Sequence, residues 1–324
     1  MRTTGAKCKR WDFCRERPRR HPSVLHRAVA DPRSDNTLLH MPELPEVEVL
    51  CRRLAPRLQG RTIQTVQVHR PGSIRPQSSQ DLNLRCHGRT LGSVSRRSKT
   101  LLIALADRSG GPDGFLQIHL GMTGRMSVVG PGEATPLHPA VMLHLEDDRL
   151  VFSDVRGLGR FGWVPEPPQG LGPEPLDPGF TVETLALALG KSRQPIKVRL
   201  MDPSCVSGIG NIYAAEILFR ARIHPARPGR DLSKGELHRL HESIRSVLSD
   251  AIDAGLGATT SADPAEWTLF HREVGGTARG AAGHGFAVYD REGEPCPGCG
   301  RTVQRIRQAS RSTFLCPGCQ RLES

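Results

Sequence analysis

The sequence predicts an α+β protein with several domains, in the order β-rich domain, helical domain and zinc-ribbon hairpin. Three observations predict this order. Short alternating apolar runs separated by turn residues follow residue 58, helical periodicity dominates residues 181–256, and two CPGC pairs lie near the carboxyl end. At 324 residues, the chain is long enough to build more than one core.

The charge balance indicates an anionic partner. Forty-five lysines and arginines exceed 33 aspartates and glutamates, which gives a net charge of +12. This balance is typical of proteins that bind nucleic acid or an acidic membrane face, although a basic protein without such a partner has the same composition. No apolar run approaches the roughly 20 residues of a membrane span, so we expect no membrane partner.

Residues 1–40 differ in composition from the rest of the chain. They carry ten Lys/Arg and four Asp/Glu, which accounts for +6 of the net charge. They show neither sustained strand alternation nor a long amphipathic stripe, so we predict a disordered extension. Acidic residues and short, interrupted apolar stretches disfavour the alternative of an organelle-targeting peptide.

A helix is predicted to precede the β-rich region. Val47, Leu50, Leu54 and Leu58 recur at helical spacing, and Pro45 suits the first helical turn. Short β-like runs follow, namely TIQTVQVH, TLGSVSR, TLLIALA, GFLQIHLG, VMLHLED and RLVFSDV. Their alternation and the turn residues between them predict a strand-rich sandwich or barrel, so that the first domain covers residues 41–164.

A Pro/Gly-rich stretch, PEPPQGLGPEPLDPGF, occupies residues 165–180 and is typical of a linker. Beyond it, TVETLALALG, YAAEILFRARI and KGELHRLHESIRSVLSDAIDAG have helical periodicity. We therefore expect a helical domain over residues 181–285 and a domain of short strands around four cysteines over residues 286–324.

These four cysteines have the spacing of a metal site. Cys296, Cys299, Cys316 and Cys319 form two CPGC pairs with 16 residues between the pairs. This is the pattern of a four-thiolate zinc ribbon, in which tetrahedral Zn²⁺ keeps no open position for water, so we predict one structural Zn²⁺. The intervening RTVQRIRQASRSTF has four arginines and no acidic residue. Such a hairpin is typical of a phosphate-facing surface, although a solvated basic hairpin has the same composition.

A glycine-rich turn, Gly-Ile-Gly-Asn at residues 208–211, directly precedes a predicted helix. Glycines let the backbone turn tightly, and the helix N-terminus offers free N–H groups to an anion. Asn211 is placed to cap this helix or to donate to a phosphate. Such turns are common, but in a basic chain with a zinc hairpin this one favours contact with a DNA phosphate.

Together, these pieces resemble the formamidopyrimidine-DNA glycosylase family, whose relatives include endonuclease VIII. The matching strings are MPELPEVE (41–48), RRSKTLLI (96–103), HLGMTG (119–124), DVRGLG (154–159), LGPEPL (171–176), GIGNIYAAEILFRARIHP (208–225), VYDREGEPC (288–296) and QASRSTFLCPGCQ (308–320). The resemblance implies an N-terminal β-sandwich, a helix-two-turn-helix domain and a zinc hairpin, with double-stranded DNA in the cleft between them.

The resemblance also implies a bifunctional DNA glycosylase and AP lyase that acts on oxidised purines, such as formamidopyrimidines and 8-oxoguanine, and on abasic sites. MPELPEVE and HLGMTG are more similar to this branch than to the endonuclease VIII branch, whose substrates are oxidised pyrimidines. A non-catalytic DNA-binding relative is the alternative from a different class. The implied setting is the bacterial cytoplasm at the nucleoid, and the implied state is a monomer.

In this family the nucleophile is the amine of an N-terminal proline, which Pro42 matches. By the same resemblance, Glu43 handles protons at the ribose, Lys99 assists β-elimination and Arg311 is associated with δ-elimination. Only a terminal proline is a secondary amine, because inside a chain its nitrogen is an unreactive amide. We therefore expect the active protein to begin at Pro42, with residues 1–40 as a mis-assigned start.

A base inside a duplex must be flipped out to reach such a nucleophile, and the hole needs a wedge. Met122 and Arg156 match two of the family's inserted residues, and Leu158 stands where many members have phenylalanine. An alternative alignment places RFG at 160–162 in this pattern, but it requires an insertion.

Further DNA contacts are also implied by the resemblance. Asn211 matches the family's phosphate-binding asparagine, and His138 and Arg193 align with other DNA-binding positions. Residues 261–286 match the family poorly, and their glycines predict a mobile lid.

Overall fold

The computed structural model describes residues 41–257 and 285–322. Its helices are α1 (Leu44–Leu58), α2 (Ser79–Cys86), α3 (Val182–Leu189), α4 (Ile196–Leu200), α5 (Asn211–Ala221) and α6 (Lys234–Gly257). Its strands are β1 (Thr65–Val68), β2 (Thr90–Arg97), β3 (Thr100–Ala106), β4 (Pro112–His119), β5 (Gly124–Val129), β6 (Pro139–His144), β7 (Arg149–Asp154), β8 (Arg160–Val164), β9 (Gln304–Gln308) and β10 (Arg311–Leu315). The predicted extension at 1–40 and nearly all of the predicted lid at 261–286 lie outside the described residues.

Helix α1 forms where the periodicity predicts it and contributes to two cores. Pro45 lies in its first turn, where a missing N–H removes no helical hydrogen bond. The Glu46 carboxylate accepts from the Glu43 N–H at 2.8 Å, which fixes the chain as it enters the helix. Leu54 packs into the β-rich core, whereas Leu44 packs among the later helices. The helix therefore joins the two parts of the molecule.

The described residues of the first domain form two four-stranded sheets, with orders β1-β6-β7-β5 and β2-β3-β4-β8. All their strand pairs are antiparallel. Side chains from both sheets, including Leu101, Ile118 and Phe152, share one core with α1. The predicted β-sandwich is therefore confirmed.

Two strands and two short helices are missing from the sequence prediction. Glycines and an arginine interrupt the apolar alternation of β5 and β8, yet β5 pairs with β7 and β8 pairs with β4. Helix α2 has only eight residues, and its start is fixed by Ser78, whose hydroxyl accepts from the Asp81 N–H at 3.1 Å. Helix α4 has only five residues. Tertiary pairing and packing decide these elements, because the local pattern is too short to do so.

The second core joins the later helices to the cysteine-bearing hairpin. Ile217 of α5, Ile244 of α6 and Phe314 of β10 are buried together in it. Gln320 ties the hairpin to the end of α5, because its side chain accepts from the Cys316 N–H and donates to the Ile223 carbonyl, both at 2.9 Å. Among the described helices, none is both long and apolar enough to cross a membrane.

The Pro/Gly-rich stretch before α3 contains neither helix nor strand, but it is firmly held. The mostly buried carboxylate of Glu174 accepts from Arg96, from Arg97 at 2.6 Å and from the Ser98 N–H at 2.6 Å. Burial alone would raise the pKa of Glu174, but Arg96 and the hydrogen bonds lower it below the ordinary value. The stretch is therefore a fixed strap between the sandwich and the helices.

Candidate active site

A cavity of about 670 Å³ lies where the sandwich meets helix α5 and the hairpin. Five of the predicted site residues line it, each from a different element: Glu43, Lys99, Met122, Asn211 and Arg311. Met41 also lines this cavity, so both chain neighbours of the predicted nucleophile Pro42 lie at its wall, although Pro42 itself is not among the lining residues. Folding therefore brings together residues that are up to 268 positions apart in the sequence, from Glu43 to Arg311.

The carboxylate of Glu43 binds the N-terminus of helix α5. It accepts from the N–H groups of Gly210 at 2.7 Å, Ile212 at 3.0 Å and Tyr213 at 3.4 Å. A carboxylate at this position is stabilised by the N–H groups and by the helix dipole. The helix start does bind an anion, as predicted, but these three N–H groups bind Glu43 and not a DNA phosphate. That part of the prediction is wrong.

The glycines of the 208–211 turn are required by the contact between α1 and α5. A Cβ atom on Gly208 would lie 2.7 Å from the Leu44 side chain, and one on Gly210 would overlap the Glu43 carboxyl group. Gly208 also has a φ of +82°, which favours glycine. Gly210 is the N-cap of α5 and Asn211 is its first residue, so the predicted capping role of Asn211 is wrong.

The Asn211 side chain is oriented by a buried lysine that the sequence prediction missed. Lys197 is 1% exposed, and its Nζ donates to Asn211 Oδ1 at 2.6 Å, Thr313 Oγ1 at 2.7 Å and the Ser312 carbonyl at 3.0 Å. Burial lowers the pKa of Lys197 to about 8. Since Oδ1 accepts from the lysine, the Asn211 NH₂ group is the end that can donate elsewhere, and it lies 3.5 Å from the Tyr289 hydroxyl. Tyr289 lines the cavity as well.

Lys99 lies in the tight turn between β2 and β3. The preceding Ser98 has a φ of +58°, in the left-handed region, and its N–H donates to Glu174. The strap thus holds the turn in a conformation that non-glycine residues seldom adopt. This turn places the half-buried Lys99 on the cavity wall.

His119, at the end of β4, lines the cavity beside Lys99 and was not among the predicted site residues. Its Nδ1 accepts from the Gly121 N–H at 3.1 Å, so the proton of the neutral ring is on Nε2. Burial, followed by the nearby charges of Lys99 and Arg160, lowers the pKa of His119 below its ordinary value. The sequence signal for His119 was its place at the start of the matching string HLGMTG.

Arg311 follows the tip of the β9–β10 hairpin. Ala309 and Ser310 have φ values of +45° and +62°, as in the two-residue turns that reverse antiparallel strands. Arg311 pairs with Gln308 across this turn. Arg311 lines the same cavity as Lys99, which lies in the turn between β2 and β3.

The four predicted metal ligands converge. The Sγ atoms of Cys296, Cys299, Cys316 and Cys319 all lie within 4.8 Å of one another, with 3.8 Å between Cys296 and Cys319 and 3.4 Å between Cys299 and Cys316. Zn–S bonds of about 2.3 Å in a tetrahedron require sulfur atoms roughly 3.8 Å apart, so the residues fit this ion. Four thiolates fill all positions of the metal, as in a structural site. The prediction of one structural Zn²⁺ is confirmed.

Three family models match the chain in succession. They are the formamidopyrimidine-DNA glycosylase N-terminal domain over residues 41–161, the formamidopyrimidine-DNA glycosylase H2TH domain over residues 171–263, and the zinc finger found in FPG and IleRS over residues 293–322. Formamidopyrimidine-DNA glycosylase from Chloroflexus aurantiacus is 41% identical over 291 residues, which cover 86% of this chain and 98% of that protein. The chain belongs to the formamidopyrimidine-DNA glycosylase family.

Solved structures of formamidopyrimidine-DNA glycosylases share the fold. The complex between Lactococcus lactis Fpg and DNA containing an abasic site has a TM-score of 0.73 and 29% identity, and the match covers 87% of this chain and 100% of that one. MutM in complex with DNA containing carbocyclic 8-oxo-G has a TM-score of 0.72 and 29% identity, with the same coverage. The predicted family and fold class are confirmed.

In this glycosylase family member, the predicted wedge residues form one group at the surface. The Arg156 guanidinium group lies 3.2 Å from the sulfur of Met122, and Leu158 is 48% exposed. Phe161, from the alternative alignment, is buried in the sandwich core and stacks on Phe152 with ring centroids 6.1 Å apart. The alternative alignment therefore supplies no exposed aromatic side chain.

Of the predicted DNA contacts, Met122 and Asn211 line the cavity, whereas His138, Arg156, Leu158 and Arg193 do not. His138 is exposed just before β6 with a φ of +57°, and Arg193 is exposed between α3 and α4. Their contact with DNA stays a prediction. The cavity also contains His119 and Tyr289, which belong to the matching strings HLGMTG and VYDREGEPC but were not among the predicted site residues.

Proposed function

We propose that this protein is a bifunctional DNA glycosylase and AP lyase that removes oxidised purines, including formamidopyrimidines and 8-oxoguanine, from double-stranded DNA. The names of its relatives support this substrate class, as do the abasic site and the carbocyclic 8-oxo-G in the DNA of the solved complexes. The observation that carries the proposal is the convergence of Glu43, Lys99, Asn211 and Arg311 on one cavity, next to Pro42 in the chain.

Pro42 is the proposed nucleophile, and it requires a free amine. An α-amino group titrates near ~8, so a useful neutral fraction exists at neutral pH. The amine attacks C1′ of the damaged nucleotide and gives up its N–H proton, and the base leaves with the electrons of the glycosidic bond and takes up a proton. The C1′–O4′ bond then breaks, O4′ takes up a proton, and C1′ becomes an iminium carbon bonded to the Pro42 nitrogen. The iminium accepts the electrons released when C2′ loses a proton, the C3′–O bond breaks and the 3′ phosphate leaves; loss of a further proton from the sugar then expels the 5′ phosphate. Because the family match begins at Met41, we infer that the active form lacks the residues before Pro42.

Three groups around the cavity assist the reaction: one transfers protons at the sugar, and two act on the phosphates that leave. Glu43, held against α5 at the cavity wall, exchanges protons with the ribose. Lys99 assists the β-elimination, and Arg311 stabilises the phosphate that leaves in the δ-elimination. These roles place a carboxylate at the sugar and cations at the developing phosphate charge, which is the distribution that the reaction requires.

Two further groups in the cavity are suited to bind DNA phosphates. The Asn211 NH₂ group and His119 Nε2–H are oriented donors, and both line the cavity with Lys99 and Arg311. Phosphate contacts fix the position of the duplex without reading its sequence. Met122, Arg156 and Leu158 then fill the space that the flipped nucleotide leaves in the helix.

We also propose that the protein acts as a monomer on the bacterial chromosome, at the nucleoid in the cytoplasm. One chain supplies all the cavity residues named above, so the proposed chemistry needs no second copy. Sedimentation at micromolar concentration tests the oligomeric state, and fluorescence microscopy of the tagged protein in a bacterial host tests the location.

The function is tested with protein that begins at Pro42 and a duplex with one 8-oxoguanine opposite cytosine. We expect release of the base and a one-nucleotide gap with a phosphate on each side. Absence of base release with both 8-oxoguanine and formamidopyrimidine duplexes would refute the proposal.

Arg311→Ala provides a finer test of the phosphate contacts. It should weaken binding to all lesion duplexes about equally and reduce the slope of log K against log salt by about 1. Arg305→Ala is the matched control, because Arg305 lies on the same hairpin but pairs with Glu292 at 2.8 Å and does not line the cavity. A changed order of lesion preference in Arg311→Ala would contradict the assignment.

A further inference from the structure

The wedge residues lie on two turns of the sandwich that pack against each other. Met122 is in the turn between β4 and β5, and Arg156 and Leu158 are in the turn between β7 and β8. A Cβ atom on Gly121 would lie 2.9 Å from the Gly159 backbone nitrogen, and one on Gly159 would lie 3.0 Å from the His119 carbonyl. The two turns are therefore in direct backbone contact.

A single buried carboxylate holds both turns. Asp154, the last residue of β7, is 1% exposed. Its Oδ2 accepts from the Gly159 N–H at 2.7 Å, and its Oδ1 accepts from the Arg156 N–H at 3.2 Å and from the Thr123 hydroxyl. The Thr123 hydroxyl in turn accepts from the Arg156 N–H at 3.2 Å. One side chain thus connects the residue after Met122 to residues on both sides of Leu158.

The backbone of Asp154 is fixed as well. Its N–H donates to the His138 carbonyl at 3.0 Å, and its carbonyl accepts from the Arg70 guanidinium group. Asp154 also pairs with Gly124 across β7 and β5. The carboxylate is therefore anchored to the sheet, and the two turns depend on it for their relative position.

We propose that Asp154 is a positioning residue that holds the two turns as one rigid unit, so that Met122, Arg156 and Leu158 enter the DNA helix together. This inference rests on the proposed function, since it concerns how that enzyme replaces a flipped nucleotide. Leu158 is smaller than an aromatic wedge and exposes less surface to stacked bases. Its insertion depends correspondingly more on the neighbouring Met122 and Arg156, and hence on the carboxylate that aligns them.

The chemistry of the site requires a carboxylate and not merely a polar group. Both Asp154 oxygens face backbone N–H groups, those of Arg156 and Gly159. In Asp154→Asn, either orientation of the amide would direct an NH₂ group at one of these donors, so one turn would be displaced. Thr123→Val removes the hydroxyl bridge but keeps the carboxylate, and Thr123→Ser keeps both.

Two duplexes separate positioning of the wedge from a general loss of structure. The first has 8-oxoguanine paired with cytosine, so that flipping leaves a space to be filled. The second has 8-oxoguanine as a single-nucleotide bulge, which has no opposite base and needs little wedge action. Single-turnover excision rates are measured at saturating enzyme for variants of the protein that begins at Pro42. Thr135→Val is the matched control, because the Thr135 hydroxyl accepts from Arg149 at 2.9 Å on the surface, away from both turns.

We expect Asp154→Asn to slow excision from the paired duplex at least tenfold and from the bulge less than twofold. Thr123→Val should show the same selective effect at a smaller size, and Thr123→Ser should restore most of the rate. Should Asp154→Asn fail to fold, Thr123→Val decides alone. Equal slowing on both duplexes, or no slowing on the paired one, overturns the positioning role while the proposed function stands. A wild-type protein inactive on both duplexes overturns both.

Discussion

Glu43, which is buried, and Glu174, whose side chain is 10% exposed, are both carboxylates that join the sandwich to the helical part, yet different partners hold them. Glu43 accepts from three backbone N–H groups at the start of α5. Glu174 accepts from the guanidinium groups of Arg96 and Arg97 in addition to one backbone N–H. The position of Glu43 is therefore set by the path of the main chain, whereas that of Glu174 is set by charged side chains.

This difference separates a group placed for chemistry from a group placed for stability. Backbone N–H groups hold Glu43 at the cavity wall in a fixed orientation, and they need glycines to come close enough. The paired arginines hold Glu174 in the strap, which ties the domains and shapes the turn before Lys99. Substitutions at the two sites should therefore affect different quantities. Those at the Glu43 contact should mainly lower the excision rate, and those at Glu174 should mainly lower the free energy of unfolding.

The largest effect on rate is expected from Gly210→Ala. The added methyl group would overlap the Glu43 carboxyl group, and a displacement of about 1 Å in a catalytic group lowers rates on the order of 100-fold. Single-turnover excision of 8-oxoguanine measures this. Gly179→Ala is the control, because a Cβ atom there meets nothing within 4 Å. An excision rate within threefold of wild type would contradict the role given to the backbone contact.

Glu174→Gln should mainly affect stability. Removing one partner of a buried ion pair costs about 3 kcal/mol of unfolding free energy, measured by urea denaturation. The control is Asp250→Asn, whose carboxylate is 62% exposed and pairs with Arg220 at the surface, where about 0.5 kcal/mol is expected. A loss no larger than that of the control would contradict the comparison.

The free energy of unfolding that Glu174 contributes should depend on pH, and Glu174→Gln measures this contribution. The pKa of Glu174 is lowered in the folded state relative to its ordinary 4.5, so the unfolded state binds more protons near and below that pH. The stabilisation by Glu174 is therefore complete above about pH 4.5 and is lost as the pH falls below it. Urea denaturation across this range should show the difference between wild type and Glu174→Gln shrinking at acid pH. A difference that grows on acidification would contradict the ion-pair account.

A smaller effect is expected from Lys197→Met. Loss of the hydrogen bond from Nζ frees the Asn211 amide to rotate, and one such bond to a charged group is worth about 1.5 kcal/mol, or roughly tenfold in affinity. Binding to lesion duplexes, followed by fluorescence anisotropy, should weaken equally for all lesions. Because the pKa of Lys197 is about 8, wild-type affinity should also fall as the pH rises through 8, and that of the variant should not. Parallel pH profiles would contradict the role of the lysine.

The sequence predicts the sandwich, the main helices and the zinc site well, because their patterns are local or carry fixed spacing. The CPGC pairs alone specify the zinc ligands, and the helical periodicity alone places α1 and α6. The elements that it misses, β5, β8, α2 and α4, are short and depend on pairing or packing with distant segments.

In the candidate site, too, residues marked by a local sequence pattern are predicted, and residues placed by contacts between distant segments are missed. Glu43, Lys99, Asn211 and Arg311 are predicted because they belong to strings that resemble a known family, and all of them line the cavity. Lys197 is missed because nothing in its neighbours along the chain marks it as buried or as close to Asn211. Tyr289 belongs to the matching string VYDREGEPC, but the string does not show that its side chain reaches the cavity. The anion bound at the start of α5 was predicted to be a DNA phosphate. The sequence shows the N–H donors of the helix start, but it does not show that the Glu43 carboxylate already accepts hydrogen bonds from them.

The central claim is that Pro42 acts through a free amine at the cavity wall. Borohydride reduction traps the iminium between protein and DNA, so two forms are compared on an 8-oxoguanine duplex. One begins at Pro42, and the other begins at Met1 and is made resistant to cleavage. We expect covalent trapping of the short form only, with the adduct mapped by mass spectrometry to Pro42. Equal trapping of an intact long form would contradict the claim and direct attention to a lysine such as Lys99.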